Sequence, residues 1–236
     1  MTSLVSRRFF LQTLTMGAAT TGLSACMPAG LKDIALAPVK TPPASVNTPL
    51  NNALAPFASM YGEMRDGDFV LPAIPYQHID PQFLRQIVDD PTGEQPGTIV
   101  VDTKRRYLYL VRLNGKAIRY GVSVGKEGFA WSGRGIIEYK RKWPTWTPPA
   151  DMIARQPQLA KYSAANGGMK PGLKNPLGAR ALYIFQDGKD TLYRLHGSPD
   201  WSSIGKRASS GCVRLINQDI IDLYERVPEK APVLVV

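Results

Sequence analysis

The tightest constraint on the fold lies in residues 106–124, where apolar and polar side chains alternate on either side of an Asn114-Gly115 pair. Successive side chains of a strand point to opposite faces, so an alternation of period two belongs to strands and not to a helix. Asn-Gly supplies the two positive-φ residues of a tight hairpin turn. Residues 106–113 therefore read as one strand and 117–124 as its partner. A buried-type strand at 98–102 precedes them, after the Pro96-Gly97 break. Further strand-like runs fall at 136–142, 181–185, 192–196 and 232–236. Three segments look helical. In 80–89, Asp80-Pro81 offers an N-cap and a first-turn proline ahead of an apolar stripe of Leu84, Ile87 and Val88. Residues 151–162 are interrupted at Pro157, and 217–226 present Ile220, Ile221, Leu223 and Tyr224. Many strands and few short helices indicate a mainly β domain, sandwich- or barrel-like.

The chain of 236 residues is long enough for one such domain and a tail. Residues 1–25 read as an export signal. Arg7-Arg8-Phe9-Phe10-Leu11 opens a short, mildly apolar stretch and resembles a twin-arginine signal. An ordinary secretory signal is the competing reading. Leu23-Ser24-Ala25-Cys26 resembles a lipoprotein box, which implies a lipidated Cys26; Met27, where a retention aspartate could stand, favours the outer membrane. The alternative is a chance Cys26 beside an ordinary cleavage site. Residues 26–65 form a Pro- and Ala-rich flexible tether, 66–97 a short helical lead-in, and 98–236 the folded domain. The net charge of +10 is scattered, with tight runs only at Lys104-Arg105-Arg106 and Lys140-Arg141-Lys142. Neither run sits in a groove-reading or base-stacking module, so the charge fits envelope polyanions and not nucleic acid.

Chemistry concentrates between residues 195 and 215. With Cys26 lipidated, Cys212 is the lone remaining thiol, which in an oxidising compartment is either buried and inert or kept for its reactivity. Ser209-Ser210-Gly211 before it favours reactivity, since small residues let a substrate backbone approach and glycine lets main-chain N–H groups face an oxyanion. The chain has two histidines. His78 lies in a Pro-flanked loop and reads as a surface residue. His196 ends a strand, and Gly197 after it should leave the ring exposed as a base for the thiol. One Cys and one His are too few for a zinc-type site, so no metal and no cofactor is expected.

His196-Gly197 followed by Ser209-Ser210-Gly211-Cys212-Val213-Arg214 resembles the signature of the L,D-transpeptidase catalytic domain of the YkuD type. Asn175-Pro176-Leu177-Gly178 with Ala181-Leu182, Trp146-Thr147-Pro148-Pro149 and Val124-Gly125-Lys126-Glu127-Gly128 resemble further segments of that family. The resemblance implies a β-rich domain acting on peptidoglycan stem peptides. Cys212 would form a thioester at the third residue, His196 would be its base, and Ser210, Gly211 and backbone N–H groups would complete the catalytic loop. Arg214, Ser209, Gly197 and Trp201 would contact substrate. For Arg214, a structural salt bridge is the equal alternative. The acceptor would be a second stem, giving 3-3 cross-links, an envelope protein amine, or water; a non-catalytic wall-binding lipoprotein is the different-class alternative. Two departures stand out. Ser210 replaces the histidine of many relatives, and Phe129-Ala130-Trp131-Ser132-Gly133 replaces a T-P-x-G turn, which leaves the acceptor open. Trp131, Trp143, Trp146 and Trp201 are candidates to line the cleft.

Overall fold

A computed structural model describes residues 56–126 and 131–236. The export signal, Cys26 and the tether up to residue 55 lie outside the described residues. The strands are β1 (Met64–Asp66), β2 (Phe69–Leu71), β3 (Gln86–Asp89), β4 (Ile99–Asp102), β5 (Tyr107–Val111), β6 (Lys116–Gly121), β7 (Val124–Gly125), β8 (Gly133–Lys142), β9 (Arg180–Gln186), β10 (Lys189–Ser198), β11 (Arg207–Ser209), β12 (Val213–Ile216) and β13 (Pro232–Val235). The α-helices are α1 (Phe57–Met60), α2 (Ala150–Arg155) and α3 (Asn217–Arg226).

Asn114 and Gly115 take φ of 61° and 62°, the paired left-handed residues that turn β5 back into β6. Alternation then sorts the side chains. Leu108 and Leu110 enter the main core, while Tyr107, Tyr109 and Val111 pack on the opposite face. Nine strands join in the order β12-β10-β9-β8-β13-β4-β5-β6-β3. Only β10/β12 and β13/β4 are parallel within it. Ile99, Leu110 and Ile118 from one half of this sheet share a single apolar cluster with Ile137, Leu182, Leu195 and Leu215 from the other. The sheet therefore curls around its core. A bridge between Ser123 and Arg214, through N–H···O bonds of 2.9 and 2.8 Å, ties the chain after β6 to the edge strand β12. This is barrel-like closure in a mainly β domain. Ile220 and Leu223 of α3 enter the same core. Lys140 Nζ caps the far end of that helix, donating to the carbonyls of Tyr224 and Val227 at 2.8 and 2.6 Å.

The structure corrects two sequence expectations. The segment 80–89 is not a helix. Asp80 does cap a first turn, accepting from Gln82 N–H at 3.1 Å, but that turn is a 3-10 helix of three residues, Pro81–Phe83. Leu84 is already extended, and Ile87 and Val88 pair with Ile118 and Ala117 of β6. β-Branched side chains fit that edge of the sheet better than a lone helical turn, and pairing overrides the local signal. Order also begins before residue 66. Tyr61 is fully buried, and the β1–β2 hairpin docks through Asp66, which accepts from Arg180 at 2.6 and 2.8 Å and from Trp143 Nε1 at 2.8 Å. The expected helical lead-in at 66–97 thus follows the end of β1 with two 3-10 turns and two strands, β2 and β3. Among the described residues, no helix is long and apolar enough to cross a membrane.

Candidate active site

The parallel register of β10 and β12 sets Leu195 against Val213 and His196 against Arg214. Leu195, Val213 and Leu215 point into the core. His196, Arg194 and Arg214 therefore share the other face, and Cys212, one residue before Val213, lies beside Arg194 at its edge. The register brings the two leading candidates, Cys212 and His196, onto neighbouring strands.

His196 is buried, at 4% exposure, contrary to the expectation of an exposed ring. Its Nδ1 lies 2.6 Å from the carbonyl of Gly197. A carbonyl can only accept, so Nδ1 carries the proton and Nε2 keeps its lone pair. Burial pushes the imidazole down to about 4, against the carbonyls of Gly197 and Pro176 and with help from Arg214 and Arg194. The ring is neutral near pH 7 and able to take a proton. Gly197 has a packing role here: a Cβ would sit 2.3 Å from Asn217 Oδ1 and 3.0 Å from Ile220. A larger residue would push α3 off the histidine.

The Asn-Pro-Leu-Gly segment closes over this base. Asn175 is 1% exposed, donates to the Pro144 carbonyl at 3.0 Å and accepts from Leu177 N–H at 2.9 Å. Asn217 Oδ1 holds the end of the segment by accepting from Ala179 N–H at 2.9 Å. This staple fixes the excursion 143–178, and Pro176 with it, near His196.

Ser209 shapes the cysteine loop. Its buried hydroxyl donates to the Cys212 carbonyl at 2.5 Å and accepts from Gly211 N–H at 3.2 Å. Gly211 takes φ of 136°, a conformation open to glycine, and packs so closely on Gly125 that a Cβ there would lie 3.0 Å from Gly211 Cα. Ser209 and Gly211 thus build the loop, while Ser210 is exposed. Cys212 is partly exposed, and its Sγ–H makes a long contact of 3.8 Å to the Leu192 carbonyl. Burial of the thiol pushes it up, opposed by the N–H and guanidinium of Arg194 and by Arg214.

Arg214 is half-buried, and among the described residues no carboxylate lies within salt-bridge distance of it. Burial lowers its pKa, and Asp200 acts on it only from farther off. The structural salt bridge weighed for Arg214 is not formed among these residues. Trp201 packs in a second apolar cluster with Tyr61, Ile79 and Ile204, beside the exposed His78. Trp143 docks the β1–β2 hairpin and Trp146 bridges to Met169, while Trp131 lies tilted 5.9 Å from the ring of Tyr193, whose hydroxyl senses Cys212. Arg194 and its partner Asp190 were missed by sequence reasoning. The signal was available: Arg194 stands two residues before His196 on the same strand, hence on the same face. Among the described residues, no group of three His, Cys, Asp or Glu side chains is placed to hold a metal.

A family model described as the L,D-transpeptidase catalytic domain (YkuD) matches residues 96–235. "Probable L,D-transpeptidase YbiS" of Escherichia coli (strain K12) is 34% identical over 146 residues, 58% of this chain and 44% of that protein. "Probable L,D-transpeptidase ErfK/SrfK" of Salmonella typhimurium is 30% identical over 199 residues, 79% of this chain and 60% of that protein. The chain spans about half the length of the curated relatives it matches. A solved structure from Brucella melitensis, described as "a Probable carnitine operon oxidoreductase caia", is 47% identical and covers 65% of this chain and 94% of its own, with a TM-score of 0.46.

Proposed function

Since the chain belongs to the L,D-transpeptidase catalytic domain family, we propose that it transfers peptidoglycan stem peptides through a thioester on Cys212, forming 3-3 cross-links. The observation that carries this reading is a neutral, carbonyl-pinned His196 on β10 with Cys212 at the start of the neighbouring strand β12. Nε2 of His196 takes the thiol proton as Sγ attacks the carbonyl of the third stem residue. The tetrahedral oxyanion is met by the backbone N–H of Cys212, since that of Gly211 is held by Ser209 Oγ. The C–N bond breaks, His196 returns the proton to the departing D-alanine amine, and a thioester remains. The amine of a second stem attacks it, gives its proton to His196, and the thiol is restored. Arg214, with no carboxylate within salt-bridge distance among the described residues and Asp200 farther off, would bind a stem carboxylate bidentately. An N-terminal export signal and a lipidated Cys26 would hold the domain at the periplasmic side of the envelope, at the outer membrane.

Intact-mass measurement tests the acyl-enzyme. A carbapenem, taken as an acyl-donor mimic, is expected to add once to the purified protein and not at all to Cys212→Ala. Protein taken from membranes should carry a lipid on Cys26. An adduct that survives Cys212→Ala, or none on the wild type, rejects the site. Muropeptide profiles of cells with and without the protein identify the acceptor. Loss of 3-3 cross-links supports a second stem, whereas loss of wall-bound protein points to an envelope-protein amine and a shift from tetrapeptides to tripeptides points to water.

A further inference from the structure

β10 does not run straight into the site. Between Asp190 and Arg194 its register against β9 shifts, and in that bulge Leu192 takes φ of 62° with 69% of its surface exposed. A left-handed leucine is strained and persists only where its surroundings hold it. Two residues do so. Arg194 donates to both carboxylate oxygens of Asp190, at 2.7 and 2.8 Å, and Leu192 N–H donates to Asp190 Oδ1 at 2.8 Å. Thr191 adds a second tie, donating to the Ile184 carbonyl at 2.7 Å and accepting from Tyr193 N–H at 3.2 Å. The Arg194 guanidinium lies on the Tyr183 ring, 4.4 Å from its centroid, which fixes it from below. In this shape the bulge holds the Leu192 carbonyl 3.8 Å from Cys212 Sγ, with Arg194 at the β10 position beside the same sulfur.

We propose that Asp190 and Arg194 are positioning residues acting as an opposed pair on Cys212: their clamp parks the thiol on the Leu192 carbonyl at rest, and Arg194 supports the thiolate once substrate displaces it. A carbonyl oxygen accepts only, so the parked state favours S–H. The guanidinium favours S⁻, and the Asp190 carboxylate beside it tempers that field, which agrees with the opposite signs of the two charges at the thiol. The inference rests on Cys212 being the nucleophile of the proposed reaction.

The test is the rate of iodoacetamide alkylation at Cys212 against pH, followed by mass on the Cys212 peptide of the full chain. Asp190→Asn leaves Arg194 uncompensated, and the profile should move about one pH unit lower. Arg194→Gln leaves Asp190 uncompensated, and the profile should move a similar distance higher. Arg194→Lys should recover part of that second shift. At a fixed pH below the midpoint these shifts read as roughly tenfold faster and tenfold slower alkylation. Both single variants break the same ion pair and release the same bulge, so a purely structural role would move both profiles in one direction. Shifts of equal sign, or none, overturn the proposal. If melting curves show Arg194→Gln to be unfolded, the Asp190→Asn and Arg194→Lys pair decides by the same signs. Alkylation reads the thiol whether or not the chain transfers acyl groups. Opposed shifts without a carbapenem adduct would sink the transpeptidase reading alone, and an adduct without opposed shifts would sink this inference alone.

Discussion

Beside α3, Arg85 is 7% exposed, and its guanidinium reaches Asp219 at 3.7 Å and Asp222 at 2.8 Å. Tyr61 donates to Asp219 at 3.2 Å and accepts from Arg85 N–H at 2.7 Å, and Tyr120 and Arg226 donate to Asp222 at 2.7 and 2.8 Å. Around β10 and β12 the buried groups are treated differently. His196 is kept neutral, the Cys212 thiol is pushed up, and Arg214 meets no carboxylate within salt-bridge distance among the described residues. In the first region Arg85 is matched by Asp222, while burial pushes the Asp219 carboxyl up to about 7 in spite of Arg85, and these contacts fasten the lead-in 56–85 to the domain. In the second, Arg194 is held by Asp190 while Arg214 has no carboxylate within salt-bridge distance among the described residues. Burial is answered by an opposite charge in one place and by a neutral ring in the other.

The comparison can be broken most sharply at the base. His196→Gln should slow carbapenem acylation about 10²–10⁴-fold while the melting temperature at neutral pH changes little. In the wild type, the acid limb of acylation should fall near pH 4 and not near 6.5, because burial depresses the imidazole. The sign for stability is the same: a depressed histidine contributes above its unfolded value and that contribution is lost as pH falls through about 4. The Gln variant should therefore lose less stability than the wild type between pH 6.5 and 4. An acid limb at 6.5 would mean that the ring is solvated. The next effect belongs to the paired cluster. Asp219→Ala leaves Arg85 its closer partner Asp222 and takes the acceptor from Tyr61, and should destabilise the fold by about 2–3 kcal/mol in a urea titration, with the acylation rate of the folded fraction unchanged. A matching loss of acylation would show that the two regions are coupled. Tyr61→Phe, the mildest change, should cost about 1–2 kcal/mol, since Asp219 loses a donor and the Arg85 amide an acceptor.

Period-two alternation and the Asn114-Gly115 turn made β4 to β6 legible, because those signals are local and the core agreed with them. Scarcity of thiols and histidines made Cys212 and His196 the candidates, and the β10–β12 register places them at neighbouring strands. The segment 80–89 was misread since Asp80-Pro81 is a genuine start signal whose continuation is decided by a partner strand more than thirty residues away. The burial of His196 could not be read because the lid over it is built by Asn175 and Asn217, neither of which lies near it in sequence. Ser209 and Gly197 were placed against substrate, yet their hydroxyl and carbonyl are spent on the Cys212 loop and the imidazole. Arg194 needed only the strand's own period. Asp190 needed the bulge, and no residue pattern announces a bulge at Leu192.

β13 sits between β8 and β4, with Val233 opposite both Gly135 and Ile99. The strand that joins the two halves of the sheet is thus made after every other described strand. Without residues 232–235, β4–β6 and β8–β12 are joined through the Ser123–Arg214 bridge and the β7–β11 pair, and the seam between β4 and β8 stays open. Such distant pairing makes folding slow and its late stage prone to association with other chains. Removing residues 232–235 would take from β4 and β8 the strand that both of them pair with.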